Sequence, residues 1–365
     1  MPFDVSDFAG ALPEDRAAGR SCRRQVATWL FGVAFMVLAM VVLGGVTRLS
    51  GSGLSIMEWA PFAGALPPVT EAEWQRLYHL YQQIPQYALL NEGFGIDGFR
   101  RIFWLEWTHR LWGRLIGLAF LAPLAWFWLT GRIDRRLGPR LALLFALGAL
   151  QGAVGWFMVT SGFAPDSVAV SPYRLVVHLA LALALYTGLV WTGLGVLRPA
   201  PSPAATRKLH GAAIACCVLV VLTMLAGGFV AGLHAGLDYN TFPLMDGRLV
   251  PADYDRLAPF MRNLTENVAA VQFDHRLLAT LTLVATAATA AAGLTAPPSR
   301  LAALALAALL GAAATQYVLG VATLLLVVPA ALASLHQAAA MLLLTAALVL
   351  LHATRPVPAG RRTRQ

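Results

Sequence analysis

Apolar residues in this chain gather in long unbroken runs instead of alternating or lining one face of a helical wheel. Runs of about 18 to 25 such residues, the length at which an α-helix crosses the hydrocarbon layer of a bilayer, fall at 26–47, 107–129, 141–160, 174–197, 211–233, 275–295, 301–328 and 335–353. The pattern predicts an all-α integral membrane protein with eight transmembrane helices. Two polar intervals, 48–105 and 234–273, are too long to be turns. Each follows an odd-numbered span, so both lie on the same side of the membrane. Within the first, Trp74, Leu77, Tyr78 and Tyr81 recur at helical spacing. Because Trp and Tyr favour the headgroup level, one or two helices lying on the outer surface are expected between Glu71 and Leu90.

Composition agrees with a membrane protein. Only 12% of the 365 residues are charged and 58% are hydrophobic, whereas soluble domains carry about 25% charged residues. A net charge of +9 raises nucleic acid as a partner, but the basic residues form short clusters between apolar runs, which excludes it. Arg16, Arg20, Arg23 and Arg24 precede the first span; Arg132, Arg135, Arg136 and Arg140 separate the second from the third. Arg198, Arg207 and Lys208 follow the fourth, and Arg355, Arg361, Arg362 and Arg364 close the chain. Alternate connections are basic, so both termini are expected in the cytoplasm, with polar tails at 1–25 and 354–365.

The first span is too long for a cleaved signal, and Asp4, Asp7, Glu14 and Asp15 argue against an acid-poor mitochondrial presequence. With Lys208 the sole lysine among many arginines and alanines, the composition points to a bacterial inner membrane. Cys22, Cys216 and Cys217 fall outside the outer intervals. No structural disulfide is expected there, and the adjacent pair reads as small apolar filler.

Short sequences recur in order. Gly44-Gly45 is echoed by Gly227-Gly228, His109-Arg110 by His275-Arg276, Gln151 to Gly155 by Gln316 to Gly320, and His178 by His336. The echoes predict a duplicated four-helix unit, 26–197 and 211–353, joined by a proline-bearing linker at 198–210. Four spans return the chain to its starting side, so the repeat is parallel, with a pseudo-two-fold axis along the membrane normal.

The four histidines lie near the starts of even-numbered spans, within about two turns, or about 10 Å, of the outer face. Ionisable residues inside a membrane usually mark a site. Two imidazoles per unit do not satisfy zinc or copper, which ask for further thiolate, carboxylate or histidine ligands. A haem iron brings four porphyrin nitrogens and lacks only two axial ligands. Arg110, Arg114 and Arg276 can pair with propionates or with lipid headgroups. Glu106 and His109, three residues apart, share a helix face, whereas Asp274 adjoins His275 and points elsewhere. Glu106 is therefore the candidate for acid–base or water-positioning work; orienting His109 is its other reading. His79, His210, His234 and His352 read as structural.

The stretches Gly45-Val46-Thr47-Arg48-Leu49-Ser50-Gly51-Ser52-Gly53-Leu54-Ser55, Glu58-Trp59, Pro67-Pro68, Phe103 to Arg114, Tyr239 to Gly247 and Val271 to Arg276 resemble haem A synthases of the α-proteobacterial and mitochondrial branch. The resemblance covers nearly all of 26–352. It implies an enzyme that oxidises the C8 methyl of haem O to the formyl of haem A, by two hydroxylations through an alcohol and a hydrate, for cytochrome c oxidase. It also implies that His275 and His336 hold a resident haem b, that His109 and His178 serve the substrate haem, and that Glu106 takes part in catalysis. Its implied partners are a haem O synthase and oxidase assembly factors. Another branch carries paired cysteines in its outer loops; this chain has none there, which leaves the electron donor open.

Two further classes remain beside this one. A cytochrome-b-like quinol oxidoreductase would keep two permanent haems and have no special need of Glu106. A transporter would show polar or broken helices near the midplane, whereas these spans are apolar, with ionisable groups at the rim. The glycine-rich stretches 148–155 and 227–232 suit packing within the bundle or between protomers of a homo-oligomer.

Overall fold

The computed structural model describes residues 13–165, 167–201, 207–295 and 299–356. Among the described residues there are ten α-helices: α1 (Pro13–Leu49), α2 (Glu71–Tyr81), α3 (Gly95–Leu129), α4 (Leu137–Thr160), α5 (Pro172–Leu197), α6 (Arg207–Gly232), α7 (Asn263–Glu266), α8 (Val268–Thr295), α9 (Arg300–Leu325) and α10 (Ala330–Ala353). Eight of them, all but α2 and α7, are long and apolar enough to cross a membrane. The protein is thus an all-helical, multi-pass membrane protein, with the spans where the hydrophobic runs predict them.

Local signals set the helix ends. Pro172 opens α5 at a position where its missing N–H costs no hydrogen bond. The Ser299 hydroxyl caps α9 by accepting from Ala302 N, and Thr70 caps α2 by accepting from Glu73 N at 3.2 Å.

α1, α3, α4 and α5 pack each against the next in a ring, and α6, α8, α9 and α10 do the same; α1 and α5 then meet α6 and α10. The core runs through both rings and across their contact, and includes Leu30, Leu141, Leu189, Leu309, Met341 and Leu344. Outward positions are apolar as well, among them Leu118, Trp126, Leu143, Val284 and Val318. For a chain whose solvent is lipid on that side, this is the expected surface.

The structure corrects the sequence reading in two places. α3 begins at Gly95, not near 107, and so projects beyond the apolar span. The aromatic stripe of α2 does not lie on a membrane surface. Trp74, Leu77, Tyr78 and Tyr81 are buried against Phe99, Ile102 and Phe103 of that projection, with Trp74 edge-on to Phe103 at 4.9 Å. The outer interval is therefore a folded cap with its own small core. At the other end, α1 reaches back to Pro13, so the second half of the expected polar tail is helical. Arg355 bonds to Arg198 O at 2.9 Å and closes the last span on the end of α5. Asp4, Asp7, Pro203, Arg361, Arg362 and Arg364 lie outside the described residues.

Candidate functional site

His109 lies fourteen residues into α3, about 21 Å along its axis at 1.5 Å per residue, because the helix starts in the cap. His178, His275 and His336 lie within two turns of the starts of α5, α8 and α10. All four are half-buried. The four imidazoles form two pairs: His109 and His178 are within electrostatic range of each other, as are His275 and His336.

Each ring lies against a glycine of a neighbouring helix. A methyl group built on Gly44 of α1 would come within 3.1 Å of His109 Nε2. On Gly155 of α4 it would come within 2.9 Å of His178 Cε1, on Gly227 of α6 within 3.0 Å of His275 Cε1, and on Gly320 of α9 within 2.9 Å of His336 Cε1. The missing side chain lets a helix backbone back the ring edge and fix its plane. These are the glycines of the sequence echoes, whose purpose the sequence alone did not reveal.

Polar neighbours assign the ring nitrogens. His275 Nδ1 lies 3.1 Å from the carbonyl of Thr223; a carbonyl only accepts, so Nδ1 carries the proton and Nε2 keeps its lone pair. Gln151 Nε2 stands 3.4 Å from His178 Nε2 and donates to His178 O at 3.0 Å. Gln316 Nε2 stands 3.4 Å from His336 Nε2. The side-chain amides of Gln151 and Gln316 thus face these nitrogens. His178 Nδ1 is buried with no hydrogen-bond partner, whereas the His336 ring lies beside the Gln316 backbone.

Glu106, three residues before His109, is buried and fully engaged. It accepts from Ser55 Oγ at 2.7 Å, from Ile56 N at 2.9 Å and from Arg110 Nε at 2.9 Å. Arg110 also bonds the carbonyls of Ile56 and Glu58, and Arg114 bonds those of Ala60 and Pro61. The outer segment 55–61 is thereby strapped to α3 beside His109.

The last four spans contain a matching strap. Gln272, three residues before His275, donates to Ala235 O and Asp238 O and accepts from Arg276, which bonds Tyr239 O and Thr241 O. The residue that corresponds to Glu106 is therefore Gln272. Asp274, singled out from the sequence, instead accepts from Tyr254 Oη at 3.0 Å. The common spacing, a Glu or Gln three before His-Arg, was the available signal.

Arg110, Arg114 and Arg276 thus spend most of their donors on loop carbonyls. Arg114 Nη1 and Arg276 Nε remain buried without a partner. The other histidines stand apart from the pairs: His79 on Gln82, His210 on Thr354, His234 beside Arg48, and His352 edge-on to Trp191. Among the described residues no group of three or more His, Cys, Asp or Glu is placed to hold a bare metal ion. Two facing imidazoles suit a metal that brings its own equatorial ligands, as a porphyrin does, and the unpartnered donors nearby suit a ligand that brings acceptors.

Comparison with known proteins decides the family. Residues 27–348 match the family model described as cytochrome oxidase assembly protein. The chain is 60% identical to a protein named "Heme A synthase" from Granulibacter bethesdensis, over 90% of this chain and 87% of that one. The chain belongs to the haem A synthase family. A "Heme A synthase" from Nitrosospira multiformis is 46% identical over 94% of this chain and 97% of its own length. One from a Methylobacterium species is 49% identical, with 90% and 91% covered. Members of the haem A synthase family are oxidoreductases, and the match runs through the cap, both straps and all four histidines.

Proposed function

We propose that this enzyme oxidises the C8 methyl of haem O to the formyl group of haem A by successive hydroxylations. His109 and His178 hold the substrate haem, and His275 and His336 hold a resident haem b. The observation that carries the reading is the set of four imidazoles, arranged two and two and each backed by a glycine, in a chain so close to proteins named for this product. The resident haem would supply one-electron chemistry, while the protein supplies orientation and electrostatics.

The roles of the chain's own residues follow from their places. The glycines fix the planes of the rings. The Thr223 carbonyl holds the Nδ1 proton of His275 and so turns Nε2 inward. Glu106 lies one helical turn from His109 on the same face, where its carboxylate can take or position a proton at the reacting methyl. Arg114 Nη1 and Arg276 Nε offer unspent donors to propionates at the outer rim.

The chain is read as two parallel four-helix units, 26–197 and 211–353, in a bacterial inner membrane, with both termini cytoplasmic and the haem sites on the periplasmic side. A haem O synthase would supply the substrate, and assembly of cytochrome c oxidase would consume the product. The test is expression of the chain with a haem O synthase in a bacterium that makes no haem A, followed by chromatography of the extracted haems. Haem A or its hydroxylated precursor is expected; only haems B and O, from folded protein with a haem b spectrum, would favour a pure electron carrier.

A further inference from the structure

We propose that Gln337 is the positioning residue that ties the two histidine pairs to each other, an inference that rests on the reading of both pairs as haem sites. Gln337 follows His336 on α10 and reaches across the seam to α1. Its Nε2 donates to Val41 O at 2.9 Å. Its Oε1 lies so close over Gly45 that any side chain there would overlap it. The neighbouring residue, Gly44, is the one that backs His109. A short path therefore runs from His336 to Gln337, across to Gly45, then through Gly44 to His109.

A second crossing shows what packing alone requires. α5 meets α6 where Gly228 faces Leu179 and Val176, each 3.1 Å from a methyl group built on that glycine. Leu179 follows His178, and Gly228 follows Gly227, which backs His275. The layout repeats, a histidine's successor on the glycine beside another histidine's glycine, but with leucine where α10 has glutamine. An apolar side chain thus fills this kind of crossing. The amide at 337 adds a directed bond in a setting where an unpaired polar group is costly and where a satisfied one orders neighbouring helices. Its bond to Val41 O sets the register of α1 against α10, and so the position of Gly44 behind His109.

The test uses the full chain, purified with its resident haem, in two variants. Gln337→Leu copies the other crossing, and Gln337→Met keeps length and volume while removing the donor. Haem O is titrated into the empty pair, and the electron paramagnetic resonance of both irons is recorded. Both variants are expected to weaken the titrated site about threefold to tenfold, the scale of one interhelical hydrogen bond, and to shift the signal of the titrated haem while resident haem content stays the same. Unchanged affinity and signal at the titrated site overturns the proposal, as does a shift confined to the resident haem. A wild-type chain that carries no resident haem overturns the underlying reading instead, and the proposal with it.

Discussion

The outer ends of α3 and α8 perform one mechanical task with different chemistry. Each sets a residue three before its histidine against an outer loop and locks it with an arginine four residues on, Glu106 with Arg110 and Gln272 with Arg276. The loops are complementary to these residues. Around Glu106 the loop offers donors, Ser55 Oγ–H and Ile56 N–H; around Gln272 it offers carbonyls, Ala235 O and Asp238 O. The second strap shows that a buried loop can be held here by an arginine with no carboxylate partner. A carboxylate at 106 therefore goes beyond what the strap needs, and the surplus falls beside His109, in the pair we propose to hold the substrate.

The largest expected effect separates the two pairs outright. His275→Ala or His336→Ala should remove the resident haem altogether, because one remaining imidazole leaves the iron half-ligated. His109→Ala and His178→Ala should leave it in place. Pyridine haemochrome spectra of the four purified variants decide the matter, and loss of the resident haem from an N-terminal variant would reverse the assignment. Next comes Glu106→Gln, which gives α3 the residue type of α8. Product formation should fall about 100-fold or more, the range for loss of an acid–base group, with resident haem intact. The new amide would also face Ile56 N–H donor to donor, at a cost of about 1–3 kcal/mol. Ser55→Ala weakens the same strap without touching the charge, so it should lower turnover only a few-fold. Equal losses in the two variants would make Glu106 a strap and nothing more.

Much of this arrangement was legible in the sequence, and the parts that were not share physical causes. Lipid as solvent demands long apolar runs, so the eight spans could be read directly. The extension of α3 could not, because Phe99, Ile102 and Phe103 alternate with Arg100 and Arg101 and give a half-polar stripe, not an apolar run. Its partner stripe on α2 was visible, yet nothing in its spacing told protein from headgroups as the surface it covers. Gln272 escaped because the strap keeps a geometry while changing a residue type, and the acidic Asp274 beside His275 drew the comparison. The arginines' partners are backbone carbonyls, which have no sequence signature.

A smaller effect sharpens the role of the backing glycines. Gly320→Ala would place a methyl group within 2.9 Å of His336 Cε1, and Gly155→Ala would do the same at His178. Alanine also favours the helix by about 1 kcal/mol over glycine. The two effects have opposite signs, so the haem-free protein should melt no lower than wild type while haem affinity at the affected pair drops about tenfold. Gly152, with nothing near its missing side chain, is the control and should show only the gain in helix stability. Equal haem affinity in Gly320→Ala and Gly152→Ala would remove the glycines from the site.

The smallest effect lies on the rim of the first strap. Glu58 gives its backbone carbonyl to Arg110 while its carboxylate takes two bonds from Arg76, at 2.7 and 3.1 Å. The hydrogen bonds from Arg76 hold this carboxyl below its usual range. A carboxyl whose folded pKa is lowered stabilises the fold above its unfolded pKa, near 4.3, and loses that contribution as pH falls through the folded value. Both side chains are about half exposed, at 44% and 51%, so solvent screening limits the tie to no more than about 1 kcal/mol. Arg76→Ala should therefore make segment 55–61 slightly more open to protease, by the same ratio at every pH between about 5 and 8, and the ratio should fall to one only as the pH drops below about 4.3 and through the lowered pKa of Glu58. A difference that persisted in acid would place the effect in the packing of Arg76 on the cap and not in its charge. The segment would then be held at Glu58 by surface contact and the hydrogen bond from Arg110 to its carbonyl, with the ionic part of the strap confined to Glu106 and Arg110.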